Sequence, residues 1–130
     1  MICYDMVKDK NKIWYLSSCT TCKNIIKELQ LENSTCEFVD IKVTPISLNE
    51  LEEIQNNLSC TYEELFNKRA LKFKEIKHNV KTDEDFKKLI VEEYTFLKRP
   101  VIKIGNTYFV GNSNKVVEDA KRALENFSIA

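Results

Sequence analysis

The sequence predicts an α/β fold, a mixed four-stranded sheet with a helical insertion between its second and third strands. Apolar residues recur at helical spacing between the first and second predicted strands and again after the fourth. A long helical pattern, about residues 47–98, separates the second strand from the third. Short runs with the length and residue types of strands complete the pattern, at residues 12–16, 36–41, 100–104 and 107–110.

The first strand, helix and second strand form a predicted β-α-β unit. The helix should begin near Thr20, a plausible N-cap, and continue to about residue 31. A short helix between two strands implies a parallel pair with a right-handed crossover. One helical face collects the apolar residues Cys22, Ile25, Ile26 and Leu29.

Capping signals divide the insertion into helices. Ser47 and Thr61 each precede a glutamate by three residues, which is the capping-box spacing. Thr82, followed by an acidic first turn, indicates a third helix start. An apolar face then runs through Phe86, Leu89, Ile90, Tyr94 and Leu97.

The last two strands are predicted to form a hairpin. Gly105 and Asn106 lie between them as a two-residue turn, and Gly111 follows the fourth strand. Asn112 or Ser113 can then cap a final helix. The 130 residues are predicted to be one domain, with residues 1–11 as a tail or extra edge strand.

Composition narrows the class of protein. Lys plus Arg and Asp plus Glu number 20 each, so nothing draws the chain generally to nucleic acid or anionic lipid. No apolar run approaches the length of a membrane span. Five cysteines, scattered apart from one C-x-x-C pair, fit a reducing cytoplasm better than a secreted disulfide scaffold.

The pair Cys19 and Cys22 carries the predicted chemistry. Cys19 falls where the first strand passes into the first helix, whose N-terminus carries roughly half a positive elementary charge. That charge favours the thiolate, so we expect Cys19 to have a lowered pKa and to be the nucleophile. Cys22 lies on the same helical face and can close a small disulfide with Cys19.

A zinc half-site is the alternative interpretation of the cysteine pair. A structural zinc site usually takes a second pair of Cys or His at comparable spacing. The remaining candidate ligands occur singly in the sequence: Cys3, Cys36, Cys60 and His78. We therefore predict no metal site.

The element order is β-α-β, helical insertion, β-β-α, with a C-x-x-C at the tip of the first helix. This is the thioredoxin-like architecture of glutaredoxin type. In such folds a cis proline opens the third strand and lies against the active cysteine, and Pro100 has that position. The alternative is a trans proline tolerated at the first residue of a strand.

Three separated motifs resemble the arsenate reductase (ArsC) and Spx family. They are residues 19–23 with the cysteine pair, Leu65-Phe66-Asn67-Lys68-Arg69 in the insertion, and residues 97–102, Leu-Lys-Arg-Pro-Val-Ile, leading to Gly111. The resemblance extends from about residue 12 to the last helix. It implies a redox-active cysteine, matched by Cys19, and oxyanion-binding arginines, matched by Arg69 and Arg99. Each arginine could instead be a solvated surface residue.

The family pattern is incomplete in this chain. The third arginine should follow the glycine after the last strand, where Asn112 stands, and Tyr15 replaces a histidine four residues before the cysteine. These changes argue against efficient arsenate reduction. Cys22 adds a resolving thiol. The predicted substrate contacts are Thr20, Thr21, Pro100 and Asn112.

The resemblance implies a thiol oxidoreductase acting on a small oxyanion or disulfide. No cofactor would be bound, and glutathione with glutaredoxin, or thioredoxin, would supply electrons. The alternative is a Spx-like redox-sensing regulator that binds the RNA polymerase α subunit, without direct nucleic-acid contact. Thr61 stands at about the place of a glycine used in that contact. A third possibility is the fold without redox chemistry.

Overall fold

The structure, a computed structural model, describes residues 11–33 and 36–129. Cys3 and the predicted tail or edge strand at residues 1–10 lie outside the described residues. Within them, the strands are β1 (Asn11–Tyr15), β2 (Cys36–Asp40), β3 (Val101–Ile104) and β4 (Thr107–Val110). The helices are α1 (Thr20–Glu28), α2 (Leu48–Leu58), α3 (Tyr62–Leu65), α4 (Phe73–Ile76), α5 (Asp83–Glu92) and α6 (Asn114–Ile129).

The chain divides into two compact units. The first is Met1–Val43 together with Arg99–Ala130, and the second is Thr44–Lys98, close to the predicted insertion at about residues 47–98. The prediction of a single domain over residues 1–130 stays a prediction. No helix among the described residues is long and apolar enough to cross a membrane.

The first unit contains the predicted mixed sheet, whose strand order is β2-β1-β3-β4. β1 and β2 are parallel, as a β-α-β unit requires, and Ile13 pairs with Phe38. β3 is antiparallel to both of its neighbours, β1 and β4. The predicted fold class is therefore confirmed.

The core of the first unit lies between one face of this sheet and helices α1 and α6. Alternate strand residues point to that face, and the helices present their i, i+3, i+4 stripes to it. Each fully buried aliphatic side chain contributes about 1.5–3 kcal/mol relative to an exposed one. The buried members include Ile13, Ile25, Ile26, Leu29, Ile102, Ile104, Val117 and Ala120.

The hairpin turn is held by a residue from the far end of the chain. Gly105 has a φ of 60°, a left-handed value that favours glycine. Its N–H donates to Asn11 Oδ1 at 3.0 Å, and Asn11 is only 3% exposed. β1 begins at Asn11, one residue before the predicted strand and inside the predicted tail.

Several predicted ends differ from the structure for local reasons. α1 ends at Glu28 rather than near residue 31, because Gln30 has a left-handed φ of 54° and a 3-10 turn, Leu31–Asn33, follows. α5 ends at Glu92, so the apolar pattern that was predicted to continue it belongs partly to a 3-10 turn, Tyr94–Phe96. β2 ends at Asp40 and β3 begins at Val101, each one residue inside the predicted range.

The second unit is organised by its helix caps and by an aromatic cluster. Ser47, Thr61 and Thr82 each form a complete capping box at the start of α2, α3 and α5. These helix starts were predicted correctly. The ring of the buried Phe66 lies 4.9–5.0 Å from three other phenylalanine rings, those of Phe73, Phe86 and Phe96.

Asp83 connects two of these helices. One carboxylate oxygen accepts from the Tyr62 N–H and the other from the Glu63 N–H, both at 3.0 Å. The next N–H of α3, that of Glu64, donates to Thr61 Oγ1 at 3.1 Å. The first residue of α5 therefore accepts hydrogen bonds from the first two N–H groups of the short helix α3, which have no partner within that helix.

We expect Asp83→Ala to destabilise the protein by about 1 kcal/mol, the usual effect of removing a helix cap. Urea unfolding of the full chain measures this change. Glu84→Ala is the matched control, because it removes a neighbouring first-turn acid from α5 and leaves the hydrogen bonds from Tyr62 and Glu63 to Asp83 in place. Equal losses in the two variants would mean that Asp83 acts through the helix dipole alone.

Candidate active site

Several functional segments meet at one edge of the sheet. Register pairs Trp14 with Val101 and Val101 with Val110, so β1 and β4 end where β3 begins. The parallel strand β2 ends at the same edge. Four residues lie at these strand ends or in the segments next to them: Cys19, Asp40, Arg99 and Asn112.

Cys19 is the residue at which the chain changes from extended to helical backbone. Its φ and ψ are −92° and 113°, an extended conformation. Thr20, predicted as the N-cap, is instead the first helical residue, because the extended conformation already ends at Cys19. The Cys19 side chain thus occupies the position from which an N-cap residue reaches the free N–H groups of the first turn.

The surroundings of the Cys19 sulfur favour its thiolate. Burial opposes ionisation, but the Cys22 N–H, the Cys22 thiol and the Arg99 guanidinium outweigh it and lower the pKa of Cys19. The guanidinium acts through its charge and through a hydrogen bond. The Cys19 residue is half-buried. The predicted direction of the pKa shift agrees with this finding.

Cys22 has the opposite character. It is buried, and burial is the main reason that its pKa is raised to about 11. The backbone of Leu16 has the next largest effect and lowers the pKa, whereas the hydrogen bond to Cys19 and the charge of that thiolate raise it further. No disulfide joins Cys19 and Cys22, so the pair is reduced.

The segment Arg99–Pro100 enters the edge through a cis peptide bond, as predicted. Pro100 is buried, and its carbonyl accepts from the Gly111 N–H at 3.0 Å. Gly111 has a φ of 103°, which suits glycine, and the exposed Asn112 follows it. The substrate contacts predicted for Pro100 and Asn112, and for the exposed Thr20 and Thr21, stay predictions.

Arg69 belongs to the second unit. It is exposed, and its backbone N–H donates to Asn67 Oδ1 at 3.2 Å within a tight turn. The Asn67 side chain in turn donates to the Thr95 carbonyl, so the turn that carries Arg69 is anchored. A role for Arg69 beside Cys19 stays a prediction.

Asp40 is a residue of this edge that the sequence analysis missed. The Ser17 hydroxyl and N–H and the Lys42 N–H all donate to its carboxylate, and these bonds lower the pKa of Asp40. The Ser17 hydroxyl is the largest of these effects. A usable signal was present, since the carboxyl ends of parallel strands share one edge and Asp40 ends the strand beside β1.

Cys36 and Cys60 are the remaining cysteines that the structure describes. Cys36 packs against the core of the first unit, and burial together with Glu64 and Asp83 raises the pKa of Cys60. His78 is exposed in a 3-10 turn. Among residues 11–33 and 36–129, no three His, Cys, Asp or Glu side chains are grouped so as to hold a metal ion.

The sheet order, the cis proline and the cysteine pair at the tip of α1 define a thioredoxin-like protein. Comparison with protein families then makes the assignment specific. The model of the ArsC family matches residues 14–120, most of the chain, and the protein belongs to that family. The comparison with curated protein sequences gives no significant match.

Solved structures share the fold over nearly their whole length. A Staphylococcus aureus protein is 25% identical with a TM-score of 0.68, covering 84% of this chain and 96% of that chain. A Bacteroides fragilis protein described as ArsC family related is 21% identical with a TM-score of 0.72, covering 85% and 97%. An arsenate reductase from Vibrio cholerae is 14% identical with a TM-score of 0.70, covering 88% and 95%.

We expect Arg99→Gln to raise the pKa of Cys19, because the charge and hydrogen bond that favour the thiolate are lost. At pH 7 the thiolate fraction, and with it the rate of iodoacetamide alkylation at Cys19, should fall roughly three- to tenfold, equivalent to half to one pKa unit. Mass spectrometry of the modified peptide as a function of pH measures the shift.

Lys121→Gln is the control for this experiment, because it removes an exposed cation of the same unit far along α6. Its pH profile should match that of the wild type. An unchanged profile in Arg99→Gln would show that Arg99 does not hold the Cys19 thiolate.

Proposed function

We propose that the protein is a thiol–disulfide oxidoreductase in which Cys19 is the nucleophile and Cys22 the resolving thiol. The observation that carries the proposal is the set of donors around Cys19, namely the Cys22 N–H and thiol and the Arg99 guanidinium. Membership of the ArsC family supports thiol oxidoreductase chemistry at the level of the family. The thiolate is the reactive form of cysteine, so these contacts prepare the nucleophile.

The proposed reaction has two displacement steps. The Cys19 thiolate attacks one sulfur of a substrate disulfide, forms a mixed disulfide with it and expels the other sulfur as a thiolate. Cys22 then loses its proton and attacks the Cys19 sulfur. This step releases the second substrate sulfur, which leaves as a thiolate and takes up a proton. The substrate gains two electrons, and the enzyme is left with a Cys19–Cys22 disulfide.

The difference in pKa between Cys19 and Cys22 determines the order of these steps. Before the first attack, the Cys22 thiol donates a hydrogen bond to the Cys19 thiolate. This bond and the thiolate charge add to the burial that keeps Cys22 protonated. Formation of the mixed disulfide removes both influences, because Cys19 is then neutral. Cys22 consequently becomes easier to deprotonate at the moment when it is needed as a nucleophile.

The charges near Cys19 favour a disulfide over a doubly charged oxyanion as substrate. Arg99 contributes to the Cys19 pKa, whereas the position expected to hold a further arginine carries the neutral Asn112. Each missing charge-assisted hydrogen bond costs an oxyanion about 1.5–3 kcal/mol of binding. Arg69 is retained in the proposal as a second cation that contacts the substrate.

The reductant in this proposal is a soluble thiol system. Reduction of the Cys19–Cys22 disulfide needs two electrons from outside, which glutathione with glutaredoxin, or thioredoxin, would supply by the same exchange chemistry. No bound cofactor takes part. A reducing cytoplasm, the predicted location, keeps such donors available.

Cys22→Ser should trap the first intermediate. With a glutathionylated peptide, the variant is expected to accumulate a mixed disulfide on Cys19, because the resolving sulfur is gone. The wild type should instead end with the Cys19–Cys22 disulfide. Mass spectrometry of the unreduced protein distinguishes the two products, and Cys36→Ser, which removes a cysteine of the same unit, should behave like the wild type.

A turnover panel of glutathionylated peptide, insulin disulfide and arsenate tests the substrate class, with Cys19→Ala as the blank. We expect turnover of at least one disulfide and little of arsenate. Activity of Cys19→Ala equal to that of the wild type, or absence of any turnover in the wild type, would refute the proposed function.

Asn112→Arg should raise kcat/KM for arsenate roughly tenfold or more, because one restored charge-assisted contact contributes about 1.5–3 kcal/mol. Steady-state kinetics with saturating reductant measures the change. Asn106→Arg adds the same charge in the hairpin turn at the opposite edge of the sheet and should have no effect. Equal gains from both variants would mean that Asn112 does not occupy an oxyanion-binding position.

The second candidate is a Spx-like regulator in which the same pair acts as a redox switch. Cys22 and the absence of the third arginine favour it, and oxidation would alter the first turn of α1. Mixing the protein with the C-terminal domain of the RNA polymerase α subunit tests this candidate. Robust association without turnover of any panel substrate would favour the regulator over the enzyme.

A further inference from the structure

We propose that Asp40 is a positioning residue, whose carboxylate holds the turn that presents Cys19 to its donors. This inference rests on the proposed function, since it concerns the thiol which that function uses. It assigns to the end of β2 a part in preparing the nucleophile.

The turn in question spans residues 16–19. The Cys19 N–H donates to the Leu16 carbonyl at 2.9 Å, so Ser17 and Ser18 form the middle of the turn. Ser18 is exposed, and Ser17 is half-buried. The turn follows β1 directly and leads directly into α1, so its conformation decides where the Cys19 sulfur lies relative to the first helical N–H groups.

The Asp40 carboxylate is hydrogen-bonded to this turn at Ser17. Its Oδ1 accepts from the Ser17 N–H at 3.4 Å and from the Lys42 N–H at 3.2 Å, and the Ser17 hydroxyl donates to the same carboxylate. A backbone hydrogen bond also links the ends of β1 and β2, because the Ile41 N–H donates to the Tyr15 carbonyl at 2.9 Å. The ends of β1 and β2 are therefore joined both just before the turn, at Tyr15, and within it, at Ser17.

The negative charge of Asp40 does not itself favour the Cys19 thiolate. A carboxylate near a thiol opposes formation of the thiolate, so any benefit must come from geometry. This separates two explanations. A positioning role needs an oxygen acceptor at residue 40, whereas a purely electrostatic influence would vanish with the charge and leave Cys19 more acidic.

The test compares Asp40→Ala with Asp40→Asn by iodoacetamide alkylation of Cys19 across pH, read by mass spectrometry of the peptide. Asparagine keeps an acceptor oxygen for Ser17 and loses the charge, and alanine loses both. We expect alanine to slow alkylation at pH 7 about tenfold, equivalent to one pKa unit, and asparagine to stay within about twofold of the wild type. Glu37→Ala, an exposed carboxylate on the same strand, should match the wild type.

Unchanged or faster alkylation in Asp40→Ala would overturn the positioning role. If Asp40→Ala fails to fold by circular dichroism, Ser17→Ala takes its place, because it removes the hydroxyl donor and leaves the carboxylate. Slower alkylation in that variant supports the inference, and a wild-type rate overturns it. An ordinary thiol at position 19 in the wild type itself would instead refute the proposed function, so the two failures are distinguishable.

Discussion

The site depends on keeping a sulfur negatively charged while it is partly removed from water. Burial alone would protonate Cys19, and the lowered pKa arises because a backbone N–H and a thiol from Cys22 and the guanidinium of Arg99 compensate for it. Two of these donors come from the helix that Cys19 itself begins. The third comes from a segment about eighty residues later, so the low pKa of Cys19 arises only in the folded chain.

The topology of the sheet is what brings these donors together. In a mixed sheet with the order β2-β1-β3-β4, the ends of β1, β2 and β4 and the start of β3 share one edge. Each connection at that edge contributes one group. The result is a chemical site built from short loops on a rigid frame, the arrangement by which α/β proteins commonly position reactive groups. In the sequence, the compact unit Thr44–Lys98 follows β2 and directly precedes Arg99 and β3.

Local patterns in the sequence were enough for most of the fold. Ser47, Thr61 and Thr82 form the expected helix caps, because a cap depends on residues only three apart. The hairpin turn at Gly105 and the alternation of strands and helices were likewise predicted from neighbours in the chain. The predictions that failed concern ends of elements, such as α1, which the left-handed backbone at Gln30 stops early.

By itself, therefore, the sequence determined the order of elements, the mixed sheet and the identity of the cysteine pair, since these follow from periodicity and short-range spacing. The tertiary structure alone decided which side chains support them. Asp40 reaches Ser17 across 23 residues and Asn11 reaches Gly105 across 94, and neither pairing leaves a mark in any local window. The register of the strands determines such contacts, because it sets which residues of two distant segments lie side by side.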